Sequence, residues 1–339
     1  MPPAAGRGGT GGWWPRHRGW PRRTLRTPNT AVAAIRFEPF RSYVAGVTTF
    51  IEAPAAGEAR PPQPRALIVT IYGLYARDRA GQAGGWLSVA ALIRLMAGLG
   101  ADQATVRSSI SRLKQRGVLE PLRLGSAAGY ALSARGGEIL AEGDRRIFER
   151  PRARLADGWL LAVFSVPERE RGRRHALRSR LSWLGFGTVS AGVWIAPAHL
   201  AAETRDALAR HGLSGYVDLF GADYLAFGDV REQVGRWWDL DRLERLYQEF
   251  LDLSGPVHER WRGRGAGAGG DGEAAFADYV LALTAWRRLP YLDPGLPAEL
   301  LPADWHGARA ARAFGALRAR LAAPARAHVL AVTGQPGAA

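Results

Sequence analysis

The stretch over residues 102–117, Asp-Gln-Ala-Thr-Val-Arg-Ser-Ser-Ile-Ser-Arg-Leu-Lys-Gln-Arg-Gly, constrains this chain more than any other. Its large apolar residues, Val106, Ile110 and Leu113, fall at i, i+4 and i+7, the spacing of one narrow helical face. Asp102 is a good N-cap and Gly117 a good residue just past the C-terminus, so a helix of about four turns is bounded at both ends. Its expected exposed set is Gln103, Thr105, Arg107, Ser108, Ser109, Ser111, Arg112, Lys114, Gln115 and Arg116, with no acid after Asp102. An ordinary solvated face mixes signs for i,i+4 pairing. This one offers donors, hydroxyls and amides, the groups that meet phosphates and base edges in a major groove. A merely solvated basic face is the alternative for an isolated helix, and the flanks decide between the two.

Upstream, residues 66–77 are apolar on most sides and fit a buried strand or a buried helix. Ser88 caps a helix over 89–97 with Val89, Leu92, Ile93 and Met96 on one stripe, and Gly98 and Gly100 break the chain before Asp102. Two helices across a short glycine-containing turn, the second basic, make a helix-turn-helix. Downstream, residues 118–124 and 129–132 flank Gly125-Ser126-Ala127-Ala128, a small hairpin with Arg123 near its tip. Ser133 then caps a helix over 134–149 containing Ile139, Leu140, Ile147 and Phe148. The module over 64–150 therefore reads as a winged helix-turn-helix, whose wing touches the backbone or an adjacent groove.

Thr105-Val106-Arg107 through Leu113, with Gly117-Val118-Leu119, resembles the recognition helix and wing entry of GntR-type regulators. The longer run of Trp86-Leu87-Ser88, Leu92-Ile93-Arg94-Leu95 and Val106 to Leu113 resembles more closely the PaaX-type regulators, the phenylacetic acid degradation repressor family. That resemblance continues over roughly 64 to 325. It implies a three-domain, dimeric transcriptional repressor of aromatic acid catabolism, released from operator DNA by an aryl-acetyl-CoA thioester such as phenylacetyl-CoA.

Charge agrees: 46 Lys and Arg face 31 Asp and Glu, a net charge of +15, as expected of a chain that associates with a polyanion. A length of 339 residues suits two or three domains. The absence of cysteine excludes disulfides, thiolate catalysis and Cys-type zinc sites, and is compatible with the cytoplasm. No apolar run reaches the roughly 18 residues of a membrane span. Residues 1–63, with Trp13, Trp14 and Trp20 among arginines, glycines and prolines, are expected to be a disordered tail or the product of a start codon placed too far upstream.

The next region, 151–228, runs strand, helix, strands, helix, strand, the ferredoxin-like order. In PaaX-type proteins it resembles the small ferredoxin-like nuclease subunit of CRISPR adaptation complexes, which opens a competing reading as a nucleic-acid-processing protein. Such nucleases carry a metal-binding aspartate just after the first strand, where this chain has Phe164-Ser165-Val166-Pro167. Glu168 and Glu170 fall at the following helix start, where acids serve capping. Ser111-Arg112-Leu113-Lys114 lacks the companions of a serine acyl-transferase, the seven histidines show no zinc spacing, and Gly263 to Gly270 follows no strand. No catalytic residue, metal site or cofactor is expected. A nonspecific DNA-binding protein is the third reading.

The C-terminal region, 229–325, is expected to be mainly helical, with a long amphipathic helix over 229–253, a flexible glycine-rich linker near 263–272, and helices over 274–288 and 307–321. The chain past 321 reads as a frayed tail, with 326–339 outside the last domain. The whole is α+β. A phenyl ring needs an aromatic pocket and CoA phosphates need arginine forks. Trp237, Trp238, Trp286, Arg287, Arg288, Tyr291 and Trp305 supply both kinds of group, and 287–297 with 301–305 matches the family's Arg-Arg-Leu-Pro-Tyr-Leu-Asp-Pro-x-Leu-Pro order followed by Leu-Pro and Trp.

Overall fold

Residues 66–77, ambiguous by pattern, are resolved in favour of helix in a computed structural model that describes residues 62–77, 85–225, 227–263 and 271–334. Helix α1, Pro64–Tyr75, starts with proline, whose missing N–H costs nothing in a first turn. It is apolar all round because it is enclosed: Leu67, Ile68, Val69, Ile71 and Tyr72 are all buried. Each such side chain contributes about 1.5 to 3 kcal/mol of burial free energy. The expectations for the N-terminal tail fall on residues outside the described ones, apart from Pro62 and Gln63, as does most of the glycine-rich stretch.

After the two-residue strand β1, Leu87–Ser88, comes α2, Val89–Ala97, capped by the Ser88 hydroxyl, which accepts from Ala91 N at 3.1 Å. Helix α3, Gln103–Gln115, is capped by Asp102, which accepts from Thr105 N at 2.8 Å. Strands β2, Leu119–Leu124, and β3, Ala127–Leu132, pair antiparallel from Leu119↔Leu132 to Leu124↔Ala127. Their two-residue turn starts at Gly125 with φ +59°, the sign a tight hairpin needs. Strand β1 adds to the other edge of β3, giving the order β1-β3-β2. Helix α4, Ala134–Asp144, passes into one π-helical turn, Arg145–Glu149, and ends at Arg150 with φ 45°.

The middle region is built from β4 (Trp159–Phe164), α5 (Arg171–Trp183), β5 (Gly187–Ser190), β6 (Val193–Pro197), α6 (Ala201–Arg210) and β7 (Val217–Ala222). Its four strands form one antiparallel sheet in the order β5-β6-β4-β7. The period of two along β4 divides its side chains. Leu160, Ala162 and Phe164 join Leu177 and Leu181 of α5 and Leu208 of α6, while Trp159 joins Ile195 on the opposite face. That opposite face is covered from the C-terminal region by Val234, Trp238, Leu296 and Leu300.

The C-terminal helices correct two expectations. Residues 229–253 are not one helix but α7, Val230–Trp237, and α8, Leu240–Trp261. Trp238 between them is extended, with φ −121° and ψ 144°, and its indole donates to Gly185 O at 2.9 Å while Asp239 caps α8 through Arg242 N. Helix α9, Gly272–Trp286, and the short α10, Leu289–Leu292, lead to α11, His306–Thr333. The expected stop near residue 321 and the tail beyond 326 are therefore also corrected. Pro324 reads as a helix breaker, yet α11 continues through it because Ala325 and Val329 are buried against the rest of the fold.

The largest core is shared between two regions distant in sequence. Leu67, Ile71, Leu92, Val106, Ile110 and Leu113 of the first module belong to the same cluster as Phe250, Phe276, Trp286, Phe314, Leu317 and Leu321 of the C-terminal helices. One face of the middle sheet keeps a second core, which Tyr291 of α10 enters from the C-terminal region.

Candidate nucleic-acid interface

Helix α3 is anchored by Val106, Ile110 and Leu113, each at most 3 % exposed. Around that seam Gln103, Arg107, Ser108, Ser111, Arg112 and Lys114 are exposed, and Thr105 and Arg116 are half-buried. Ser109 is the exception: it is buried, because it lies beside Ile110 on the flank of α3 that enters the core. Arg112 and Lys114 sit in the last turn, where cations meet the negative end of the helix dipole.

At the other end of α3 the Thr105 hydroxyl donates to Asp102 Oδ2 at 2.6 Å. The hydrogen bonds from the Thr105 hydroxyl and backbone hold the Asp102 carboxyl below its usual range, so Asp102 is ionised and one carboxylate borders the basic face. Ser108 donates to Thr105 O at 3.0 Å. Arg123 is exposed on β2, and its Nη2 donates to Ser126 O at 3.0 Å, bracing the hairpin turn from one side. The hairpin is fastened to the module by the Trp86 indole, which donates to Leu122 O at 3.0 Å. The expected DNA-facing residues thus lie on one exposed helix face and on the hairpin that follows it.

The seven residues expected to supply an aromatic, arginine-bearing pocket are spread out, their aromatic members divided among three cores. Trp237 and Trp238 pack around Trp159, with ring centroids 5.9 and 6.1 Å from it. Trp286 is fully buried, stacked on Phe314 at 4.9 Å, with its indole donating to Ile147 O at 3.1 Å. Trp305 meets Tyr247 edge to face at 5.7 Å, and Tyr291 packs on Trp183 at 5.0 Å. Arg288 reaches Glu249 at 3.6 Å. Arg287 is buried, its Nη2 donating to Ala66 O at 3.3 Å, and burial pushes its guanidinium down to about 10. Large aromatic side chains fill cores before they line sites, which is why their density in the sequence is a poor locator.

An apolar cavity of about 50 Å³ lies between α1, α4 and α9, lined by Val69, Gly73, Leu140, Ile147 and Leu283; Arg287 and Tyr291 also border it. A second cleft, of about 70 Å³, lies on the other side of the π-helical turn, among Arg145, Arg146, Arg150 and Arg152. Those arginines were missed in the sequence. The available signal was the run Arg145-Arg146-Ile147-Phe148-Glu149-Arg150-Pro151-Arg152, which reads as a boundary between regions.

Among the described residues no cluster of His, Asp and Glu is arranged to hold a metal ion. Glu170 accepts from the Tyr216 hydroxyl at 2.6 Å, and Glu168 pairs with Arg174 at 2.8 Å. Both acids near the end of β4 are thus engaged in structural contacts. No helix among the described residues is long and apolar enough to cross a membrane.

Three family models match the chain in succession: PaaX-like protein over residues 63–136, the PaaX protein central Cas2-like domain over 152–234, and the PaaX-like protein C-terminal domain over 238–331. The transcriptional repressor PaaX of Escherichia coli (strain K12) is 28% identical over 262 residues, covering 76% of this chain and 80% of that protein. An uncharacterized protein from Mycobacterium tuberculosis has a similar solved structure, with a TM-score of 0.51 and 24% identity over 79% of this chain and 98% of that one.

Proposed function

Because the chain belongs to the PaaX-like family, we propose that it is a transcriptional repressor that binds operator DNA and controls genes of phenylacetate-type catabolism. It is a regulator, not an enzyme, as the repressor named among its relatives is. The observation that carries the DNA-binding reading is the face of α3, where seven polar or basic side chains, Gln115 included, are exposed around a buried seam without an intervening acid.

In this reading residues 64–150 form a winged helix-turn-helix. Helix α3 enters the major groove, with Gln103, Thr105, Arg107, Ser108, Ser111 and Arg112 at base edges and phosphates. Lys114 and Arg116 contact the backbone, and the hairpin at Arg123 reaches an adjacent groove. The middle region is a ferredoxin-like spacer or dimerisation domain. Two copies bind as a homodimer, and an acyl-CoA effector such as phenylacetyl-CoA releases them, with no cofactor required. The geometry supporting the module is the capped α2–α3 pair followed by the braced β2–β3 hairpin.

Fluorescence anisotropy of the full chain on DNA from its own upstream region, against a scrambled competitor at fixed salt, tests the reading. Selective binding released by phenylacetyl-CoA is the expected result. Binding without selectivity would remove the repressor assignment, and selective binding indifferent to the thioester would remove the effector.

A further inference from the structure

The cleft beside the π-helical turn is positively charged beyond what its own acids offset. Arg145, Arg146, Arg150 and Arg152 line it against two carboxylates, Glu203 and Asp293, which leaves four minus two, an excess of two charges. We propose that this cleft binds a phosphoryl group of a small multiply charged anion.

The arginines divide into those that build the cleft and those that can serve a ligand. Arg146 is fully committed: Nε meets Glu203 at 2.7 Å, and its two Nη groups donate to Trp183 O and Leu184 O at 3.0 and 3.1 Å. Arg150 is held through Nη2, which donates to the Tyr247 hydroxyl at 2.6 Å and to Asp293 at 3.0 Å, while its guanidinium lies over the Trp286 ring. Arg152 makes only long contacts, 3.4 Å to Asp293 and 3.4 Å to Leu296 O. Arg145 is 67% exposed, with Glu149 at 3.7 Å as its partner, a surface pair of small energetic value. Arg145 and Arg152 therefore have capacity for the bidentate contacts that guanidinium makes with phosphate.

A second observation points to a ligand. His199, which also lines the cleft, has a buried Nδ1 without a hydrogen-bond partner. A buried polar nitrogen left unpaired costs about 1 to 3 kcal/mol, and a phosphoryl oxygen in the cleft would satisfy it. Burial and the neighbouring Arg146 hold the free imidazole below its usual range, and Nδ1 can donate to an anion as a neutral N–H or as an imidazolium.

The backbone around the cleft is specialised in the same place. Arg150, at φ 45° and ψ 63°, is the sole non-glycine residue with positive φ among the described residues, and it follows directly on the π-helical turn. Both are features that persist where surrounding structure enforces them. The enforcement is visible: Ala153 N donates to Gly295 O at 2.9 Å, and a Cβ at Gly295 would meet Pro151 O at 2.4 Å. A ligand here would touch the end of α4, α6 and the turn after α10 together, and so bear on the module that carries α3. If the effector reading above holds, on which this extension alone rests, the phosphoryl group is one of the thioester's CoA phosphates.

Isothermal titration of the full chain with inorganic pyrophosphate tests the cleft, using Arg145→Gln, Arg152→Ala and His199→Ala, with Arg169→Ala as a control for the basic surface. The expected result is one saturable site, weakened tenfold or more in the three cleft variants and unchanged in the control. Arg145 is exposed, so Arg145→Gln keeps the test valid should Arg152→Ala fail to fold. Absence of saturable binding, or equal affinity in wild type and Arg145→Gln, overturns the proposal. The same variants are then assayed for thioester release from DNA. If wild type is released and Arg145→Gln responds at the same thioester concentration, the cleft is overturned as the effector site while the repressor stands. If wild type itself ignores the thioester, the effector reading falls and the pyrophosphate titration decides the cleft.

Discussion

The hydroxyls of Thr70 and Thr284 meet at 2.8 Å across 214 residues of sequence, inside the core that α1 shares with α9. Thr70 also donates to Ala66 O at 3.0 Å, so Thr284 is the donor that completes the pair. The first and last regions of the described chain are thereby one packed body rather than a reader and a separate sensor. A stability change in the C-terminal helices is therefore felt by α3 through the core they share. Thr284→Val should cost about 0.5 to 1.5 kcal/mol, the net value of one hydrogen bond. It should lower the urea midpoint of a single transition seen alike by tryptophan fluorescence and by DNA-binding competence. Two separated transitions would contradict the shared core.

Truncation after Pro324 tests the end of α11. Ala325 and Val329 are buried there, and burying a valine contributes about 1.5 to 3 kcal/mol. The truncated chain should unfold at a clearly lower temperature than one ending at Gly334. Equal melting temperatures would restore the reading of this segment as a tail.

The elements with strong local signals were legible in the sequence: Ser88, Asp102 and Ser133 are all N-caps, each accepting from a backbone N–H of the helix it starts. The strand-helix order of the middle region was legible because periodicity is a local property, although neither α5 nor α6 is capped by a side chain. What was not legible depends on distant partners. Trp238 breaks a helical stripe because Gly185 O accepts its indole, and α11 survives Pro324 because Ala325 and Val329 are buried in the shared core. The tryptophans singled out for a ligand turned out to fill cores, while the arginine cleft draws on Arg152, His199 and Asp293, far apart in sequence.

Asp293 makes the stability of this junction pH-dependent. Burial alone would raise its carboxyl, but Arg150 and Arg152, with the Tyr247 hydroxyl and Gly295 N, outweigh burial and hold it below the usual range. A depressed carboxylate contributes stability that is present above its unfolded value of about 3.9 and is lost as pH falls through the folded value. Asp293→Asn leaves two guanidiniums without their shared charge and should cost about 3 to 5 kcal/mol near neutrality. The gap between wild type and variant in urea midpoint should close as pH drops below about 4. A gap that stays constant from pH 7 to pH 3 would contradict the ionic assignment.

The hairpin depends on Gly129, where a Cβ would lie 2.5 Å from the Trp86 indole and 2.4 Å from Leu87 O. Since Leu87 O is backbone of the paired strand β1, neither side can yield cheaply. Gly129→Ala should displace Trp86 from Leu122 O, lower stability by about 1 to 3 kcal/mol as overpacking does, and weaken DNA binding. Unchanged melting and unchanged affinity would show that the hairpin is not held by this contact.

The exposed face of α3 and the hairpin tip make separable predictions for DNA. If each protomer of a dimer neutralises about four phosphates, log affinity should fall with a slope near −7 against log salt. Lys114→Ala, which removes a cation from the last turn of α3, should reduce that slope by about two per dimer and weaken cognate and scrambled sequences alike. Arg107→Ala, exposed one residue beyond the buried Val106, should cost about 1 to 3 kcal/mol on the cognate site and much less on scrambled DNA if it reads a guanine. Arg123→Ala should lie between the two, since its Nη2 also braces Ser126 O and its loss loosens the turn that carries it. Salt titrations of anisotropy on both DNAs separate the cases. Equal losses on cognate and scrambled DNA for Arg107→Ala would move that residue from base reading to backbone contact and leave α3 as an electrostatic anchor alone.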